Sequence, residues 1–415
     1  MKSLYKTSLL FFLLFYSGLF NAQKADSLKQ VLKKQSTDTG SVFILVSLGH
    51  YYTTHDQLDT ALYYLEIART KAEKNTNRKF LGLANYYIGL AYSNAGQDAR
   101  SRVYFNKAIA DYLKSNRLSR LGDVYNSIGV TYYYEGKYDS AIVYYSTAAD
   151  YALKNKDSLL VGRCYNNLGT MYDIKGERVK SVEYYIKAIK MYENNKRKDL
   201  CIGPYQNMAL VYFNNKQYPQ AVKCLETAKK IAIDIKENKT LCRIYNTIAS
   251  VMDEQGKALE ANRIFKKALY LAKEEKDEAL CAICLNNLAE NSLYLDKNEE
   301  AENLLLECIE LKKKLNNPVS LGISEIALGQ AYVRTKKYAA AIASFNSGMK
   351  KVKDAGYLEY QKTAFEGLAA SYGRSGSYKE AYSNLDSFVK INNTLLKESN
   401  NKVIGELETK YQSDK

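Results

Sequence analysis

The residue types that most often carry chemistry are scarce in this sequence, and their spacing does not suit catalysis or metal binding. The only two histidines, His50 and His55, lie five residues apart. Two ligands on one helix need a spacing of three or four to share a face, so this pair does not predict a metal site. The sequence contains no glycine-rich phosphate loop, nucleophile elbow or H-E-x-x-H motif. It therefore predicts no enzyme, no cofactor and no bound metal.

The seven cysteines raise redox chemistry as an alternative. The stretch C-A-I-C, from Cys281 to Cys284, has the spacing of a redox motif, but it lies in a segment of helical periodicity. We interpret the cysteines as buried small apolar residues. A disulfide such as the one between Cys281 and Cys242 is the alternative.

Asparagine recurs in a fixed register. The run Y-N-N-L-G, residues 165 to 169, places two asparagines in a helical pattern, although asparagine is a mediocre helix former. Such amides stand three or two residues before a small residue that recurs every 40 residues: Asn126, Asn166, Asn167, Gln206, Asn207, Asn246, Asn286 and Asn287. An amide offers donors and an acceptor, which suits the backbone of an extended peptide. Two interpretations stay open, because the amides could face a ligand or bond to one another between neighbouring repeats.

The elements that must position these amides are copies of one 40-residue repeat. Its small residue occurs nine times, as Gly49, Gly89, Gly129, Gly169, Ala209, Ala249, Ala289, Gly329 and Ala369. A second small residue follows twelve positions later, and a large apolar residue follows four positions after that. Small residues let two helix axes approach while large ones fill the space beside them, so the pattern predicts nine antiparallel helix pairs. Glycine turns such as 94–97 close the pairs, and polar turns with an acidic helix start, such as 154–158, separate them.

This register resembles the tetratricopeptide repeat. The pattern L-G-x-x-Y, then Ala, an aromatic residue and Ala, extends over residues 42–393. The period exceeds the usual value of about 34 residues, and the terminal proline is missing, which is similar to the long-helix branch that includes kinesin light chains. HEAT and armadillo repeats share the length but not the register. The resemblance implies an all-α fold, a right-handed superhelical solenoid of nine antiparallel helix pairs.

Both ends of the repeat array are expected to be capped. An N-terminal capping helix is predicted at 23–41, and a C-terminal helix at 394–415 is predicted to cover Phe388 and Val389 and to begin a coiled coil. Within the array, Gly203 and Pro204 interrupt the first helix of repeat 5. They predict either a bend or a local adjustment of its first turn.

The resemblance also implies where a partner binds. In this family the first helix of each pair lines a concave groove, and kinesin light chains use asparagines there to hold a peptide. The same register places Arg163, Arg243, Tyr133 and Tyr134 in the groove beside the eight amides. This mixed lining fits a peptide or a partner helix better than a polyanion.

The N-terminus and the charge favour export and argue against nucleic acid. Residues 1–22 place two lysines before an apolar run that is too short to span a bilayer, which predicts a cleaved signal peptide, with an uncleaved anchor as the alternative. The net charge of +15 is spread over every repeat, as on solvated helix faces. Neither nucleic acid nor a membrane beyond the signal peptide is therefore an expected partner.

The signal-like start, the long repeats and the closing K-V-I-G-E-L-E-T-K-Y-Q-S-D-K together resemble the exported sensor half of tetratricopeptide regulators from Bacteroidetes-type bacteria. We expect a non-enzymatic module of the periplasm or cell envelope that binds a protein or peptide segment in its groove. The alternative is a scaffold that self-associates through tyrosine-rich faces, or as a homodimer through the C-terminal helix.

Overall fold

The computed structural model of the protein describes residues 22–34, 38–74 and 77–413. The predicted signal peptide lies outside these ranges except for its last residue. The first ten helices are α1 (Ala22–Lys34), α2 (Asp38–Thr54), α3 (Leu58–Lys74), α4 (Arg78–Asn94), α5 (Asp98–Lys114), α6 (Leu121–Tyr134), α7 (Tyr138–Lys154), α8 (Ser158–Ile174), α9 (Arg178–Asn194) and α10 (Ile202–Asn214). The others are α11 (Tyr218–Asp234), α12 (Asn238–Glu254), α13 (Ala258–Glu274), α14 (Glu278–Tyr294), α15 (Asn298–Lys314), α16 (Pro318–Arg334), α17 (Tyr338–Val352), α18 (Leu358–Arg374) and α19 (Tyr378–Ser413). Within the described ranges there is no β-strand.

Helices α2 to α19 form the nine pairs expected from the repeat, and we number the repeats 1 to 9 from α2/α3 to α18/α19. The pairs are antiparallel, as repeat 2 illustrates. A Cβ atom on Gly89 would lie 2.6 Å from the ring of Phe105, and seven residues earlier a Cβ on Gly82 would lie 2.9 Å from the ring of Tyr112, seven residues later. The structure confirms the predicted all-α fold class, in which small residues on one helix admit large side chains from the other.

The turns follow the predicted chemistry. Each described turn has one residue with positive φ, and the positions recur every 20 residues. Glycine occupies many of the turns within pairs, including Gly96 and Gly136. Between pairs, Lys156 adopts φ 56°, and the side chain of the next residue, Asp157, accepts a hydrogen bond from the Leu160 amide at 3.0 Å. The acidic helix start predicted there is therefore an N-cap.

The chain divides into two compact units, Met1–Asn207 and Met208–Lys415, with the boundary inside α10. In unit 1, buried aliphatic residues of α2 and α3 such as Ile44 and Leu65 make one continuous core, and Ala25 of α1 packs against it. In unit 2, Phe265 and Leu285 belong to an equivalent core that also contains Cys242.

The ends of the array differ from the expected boundaries. The helix predicted at 23–41 is observed as α1, and Asp38 already begins the first helix of repeat 1. At the other end, no separate helix starts at Thr394, because α19 runs without a break from Tyr378 to Ser413. No proline or glycine interrupts it before Gly405, so α19 does not itself turn back over Phe388 or Val389.

Two pairs begin with a 3-10 turn instead of a regular first helical turn. One covers Leu118–Arg120 before α6, and the other covers Lys198–Cys201 before α10. The second lies just ahead of Pro204, which lacks an amide donor and crowds the carbonyl four residues earlier. The turn before α6 has no proline, so the 3-10 turn is not specific to Pro204, and the two outcomes predicted for Pro204 stay predictions.

Candidate binding groove

Hydrogen-bonded asparagines link the first helices of repeats 3, 4 and 5. Asn167 Nδ2 on α8 donates to Asn126 Oδ1 on α6 at 3.0 Å. One repeat later, Asn207 Nδ2 on α10 donates to Asn166 Oδ1 on α8 at 3.1 Å. Both bonds span 41 residues, so they are the same contact made twice. We call these four residues the amide ladder.

The same register continues by one step towards the N-terminus with hydroxyl groups in place of amides. Tyr86 OH on α4 lies 3.3 Å from Ser127 Oγ on α6, again 41 residues apart. The 41-residue offset between neighbouring first helices therefore brings these two positions into contact, and the residue types there determine whether amides or hydroxyl groups form the hydrogen bond. The sequence leaves open whether the amides face a ligand or bond to one another between neighbouring repeats. In unit 1, hydrogen bonds between neighbouring repeats are present.

The ladder leaves hydrogen-bonding capacity unused. Asn126 is 7% exposed, and its Oδ1 has one further polar neighbour, the Cys164 thiol at 3.7 Å. Asn166 and Asn167 are half-buried. Among the described residues, Asn166 Nδ2 and Asn167 Oδ1 take part in no hydrogen bond. Two adjacent side chains thus carry an unused donor and an unused acceptor, which are the groups that pair with a peptide backbone.

In unit 2 the predicted amides do not form a ladder. Asn286 Oδ1 accepts from Ser324 Oγ at 2.6 Å, and its Nδ2 donates to Glu290 Oε1 at 2.7 Å. The ammonium of Lys312, a residue only 6% exposed, donates to Ser324 Oγ at 2.7 Å, and burial lowers the pKa of this lysine. Asn286 is therefore part of a buried polar network and is not available to a partner.

The remaining unit 2 amides show no such pairing either. Asn246 Oδ1 is buried and has no partner among the described groups. Asn287, which occupies the register position of Asn167 and Asn207, makes no side-chain hydrogen bond within the described chain. The predicted amides of both units occupy the same register positions, but among the described residues only those of the amide ladder in unit 1 bond to one another.

The other predicted groove residues are spread along the first helices. Arg163 Nη1 lies 3.9 Å from Asp123 Oδ1, and desolvation raises the pKa of that carboxyl although two arginines oppose the shift. Tyr133 stacks edge-on against Tyr134, which is 72% exposed. Gln206 is half-buried, and Arg243 is exposed. These residues share the face of the amides, but the structure does not draw them into one cluster.

A cavity in unit 1 escaped the sequence analysis. It has a volume of about 430 Å³ and is lined by residues of repeats 1 and 2 and of the turn leading into repeat 3. His50 is one of its lining residues, with its ring edge-on to Tyr87 at 5.1 Å between centroids. Desolvation lowers the pKa of His50, which favours the neutral ring. The repeat register could have indicated this cavity, because its lining residues Phe43 and Leu83 occupy the same repeat position as Arg163, which the sequence predicts to lie in the groove.

All seven cysteines are buried, as predicted, and the structure describes each as a free thiol. The closest sulfur pair joins Cys242 and Cys284 at 3.6 Å, so the partner of Cys242 is not Cys281. Among the described residues no three His, Cys, Asp or Glu side chains are grouped to hold a metal. No helix in the described ranges combines the length and the apolar character needed to cross a membrane.

The fold defines a helical-repeat protein built from antiparallel helix pairs. Residues 120–194, 202–274 and 240–314 match the tetratricopeptide repeat family. These matched residues are tetratricopeptide repeats, as the sequence register predicts. No curated protein is significantly similar to this chain in sequence.

Solved structures share the fold at low sequence identity. The quorum sensor NprR from B. thuringiensis, in its apo form, is 14% identical, with a TM-score of 0.58 over 84% of this chain and 97% of its own. A Rap protein complexed with Competence and Sporulation Factor is 14% identical, with a TM-score of 0.52 over 86% of this chain and 99% of its own. The tetratricopeptide repeat sensor protein of the STAND ATPase class from Pyrococcus horikoshii is 14% identical, with a TM-score of 0.57 over 93% of this chain and 67% of its own. At this identity the similarity establishes the fold alone.

Proposed function

We propose that this protein is a non-enzymatic binding module that holds an extended peptide or protein segment along the first helices of repeats 3 to 5. One observation carries the proposal. The amide ladder fixes the orientation of its side chains between repeats and still leaves Asn166 Nδ2 and Asn167 Oδ1 without hydrogen-bond partners among the residues that the structure describes. Prealigned amides of this kind pair with a backbone at little entropic cost, because their rotamers are already restricted.

The structural and ligand-binding roles of the ladder can be separated by a matched pair of substitutions. Asn166→Asp keeps the Oδ1 acceptor that Asn207 needs and removes the unused donor. Asn167→Asp removes the donor that bonds Asn126 and keeps the unused acceptor. Each variant adds one negative charge, so the pair is matched in charge and size.

The probe is a phage-displayed library of random dodecapeptides selected on the purified chain, followed by calorimetry with the selected synthetic peptides. We expect Asn166→Asp to weaken binding by about tenfold, as for one hydrogen bond lost to a fixed partner, and to leave thermal stability within about 0.5 kcal/mol. Asn167→Asp should lower stability by about 1–3 kcal/mol, because two acceptors then face each other in a buried site. Unchanged peptide affinity in Asn166→Asp, or a library that yields no binder, would contradict the proposal.

We further propose that this binding serves an exported sensor region. The support is the signal-like sequence of residues 1–22 together with the resemblance to sensor halves of bacterial regulators. Expression in a bacterial host with cell fractionation tests it: the chain should be recovered outside the cytoplasm, with its N-terminus at residue 23. An intact N-terminus on soluble cytoplasmic protein would refute export and leave the groove proposal untouched.

A second candidate function, self-association, is favoured by the exposed face of α19. Leu385 is 50% exposed, whereas the residues at its repeat position, such as Phe105 and Phe345, are 0% exposed. Tyr378 and Tyr382 on the same helix are 75% and 74% exposed. Light scattering of the purified chain with and without residues 395–415, and of Leu385→Glu, tests this candidate. A monomer in all three samples would exclude it.

A further inference from the structure

The cavity of unit 1 combines an apolar interior with a cationic edge. Its walls include the rings of Phe43, Phe80 and Tyr87. Lys79 and Arg117, which are both exposed, also line it. The volume of about 430 Å³ lies in the range of small-molecule sites. Such a site selects ligands that have both an apolar body and a charge of opposite sign.

The three cations that line the cavity lie close enough to repel one another and are only partly neutralised. Arg120 also lines it and lies 4.0 Å from Asp123 Oδ2, a carboxyl that Arg163 shares. In the described part of the chain no carboxylate forms an ion pair with Lys79 or Arg117. Desolvation, followed by repulsion from the two arginines, lowers the pKa of Lys79. An anion placed among the three would relieve that repulsion.

The local backbone explains why two arginines converge here. Arg117 and Arg120 are three residues apart; Arg117 immediately precedes the 3-10 turn Leu118–Arg120, and Arg120 is its last residue. A 3-10 turn has three residues per turn, so side chains at this spacing point the same way. At the only other 3-10 turn of the described chain, Arg197 precedes Lys198–Cys201, and its guanidinium is held by Asp199 at 2.7 Å. Arg117, which precedes the first turn, has no such acidic partner within the described ranges.

We propose that this cavity is a second binding site, distinct from the amide ladder, for an organic carboxylate with an aromatic or branched aliphatic body. The body lies against the rings of Phe80 and Tyr87, and the carboxylate accepts hydrogen bonds from the guanidinium of Arg117 and the ammonium of Lys79. Guanidinium groups bind carboxylates through two parallel hydrogen bonds, which select for the ligand's negative charge and also fix its orientation. A free acid and the C-terminal residue of a peptide offer this same chemistry. The proposal does not depend on peptide binding at the ladder.

The probes are 3-phenylpropionate, its uncharged amide, and a pair of tetrapeptides that end in phenylalanine with either a free or an amidated C-terminus. Binding to the purified full-length chain is followed by saturation-transfer NMR. We expect the acid, or the free-carboxylate peptide, to bind with a dissociation constant on the order of 0.1–1 mM, as for a ligand of this size. The matched amide should bind at least about tenfold more weakly. Binding of the peptide but not of the free acid would assign the site to a peptide C-terminus.

Two substitutions test the charge and the space separately. Arg117→Ala removes an exposed side chain and should weaken binding about tenfold or more, whereas the matched control Arg197→Ala should leave it unchanged. Ser47→Phe places a ring inside the cavity and should abolish binding. Circular dichroism checks that each variant is folded.

Three results would overturn the proposal. The first is equal binding of an acid and its amide, which removes the role of the cations. The second is equal loss in Arg117→Ala and Arg197→Ala, which indicates a general effect of charge. The third is the absence of binding by every probe. Since the ladder variants Asn166→Asp and Asn167→Asp should bind these acids normally, failure of this proposal is distinguishable from failure of the groove proposal.

Discussion

Two chemically identical substitutions in the amide ladder should differ in their effect on stability. Asn167→Ala and Asn207→Ala each remove one Nδ2 donor from an inter-repeat hydrogen bond of 3.0 and 3.1 Å. The difference lies in the acceptor left behind. Asn126 Oδ1 belongs to a residue that is 7% exposed and would keep only the Cys164 thiol at 3.7 Å, whereas Asn166 is half-buried and accessible to water.

The magnitudes follow from that difference in burial. A buried acceptor left without a partner costs about 1–3 kcal/mol, so we expect Asn167→Ala to lower the free energy of unfolding by that amount. A hydrogen bond exchanged for one to water contributes about 0.5–1.5 kcal/mol, which sets the expectation for Asn207→Ala. The control is Asn155→Ala, which removes an exposed amide bonded to the Tyr151 carbonyl at 2.7 Å and should change stability by less than about 0.5 kcal/mol.

The assay is urea denaturation followed by circular dichroism, with hydrogen exchange to locate the effect. Stability in repeat proteins is close to a sum over repeats and their interfaces, so the loss should appear as faster exchange in α6 and α8 for Asn167→Ala. Faster exchange in α8 and α10 is expected for Asn207→Ala. If Asn207→Ala is as damaging as Asn167→Ala, or more so, then burial of the acceptor does not control the strength of the ladder.

Three further predictions concern other parts of the fold. The fold lowers the pKa of Lys312 below its unfolded value of about 10.4, so the free-energy penalty for burying the charged form is complete at low pH and is relieved as pH rises towards that value. The stability of the wild type relative to Lys312→Met, measured by urea unfolding, should therefore increase with pH. A difference that does not change with pH would contradict this. Mild oxidation with diamide followed by non-reducing peptide mapping should yield a disulfide between Cys242 and Cys284, whose sulfurs are 3.6 Å apart, and any other pairing as the main product would contradict the packing. Gly169→Ala places a Cβ 2.7 Å from the Tyr185 ring and should lower thermal stability by about 1–3 kcal/mol, and an unchanged Tm would show that the ring can move aside.

The repeat architecture could be predicted from the sequence because local steric rules determine it. A small residue at Gly89 is required by the ring of Phe105, and the left-handed turn positions recur every 20 residues, which is half the repeat. The acidic helix start at Asp157 follows from ordinary capping chemistry. Each of these features depends on contacts within one pair or one turn, which the periodic sequence encodes directly.

The site could be predicted only in part, because its geometry depends on offsets between repeats. The sequence places Asn166 and Asn286 at the same register position, yet the first bonds a neighbouring amide and the second bonds a serine and a glutamate. What distinguishes them is the residue 41 positions later, since Asn207 is an amide and Ala327 is not. The cavity was missed for a similar reason, because its cationic edge requires the 3-10 turn before α6.

The spacing of the amide ladder restricts the partners that could use it repeatedly. Packed helices lie roughly 8–10 Å apart, so successive rungs are separated by about that distance. A polyproline II segment advances about 9.3 Å in three residues and then presents the same side again. A segment in this conformation would present the backbone groups of every third residue to successive rungs, so it could make the same contact twice whatever its side chains.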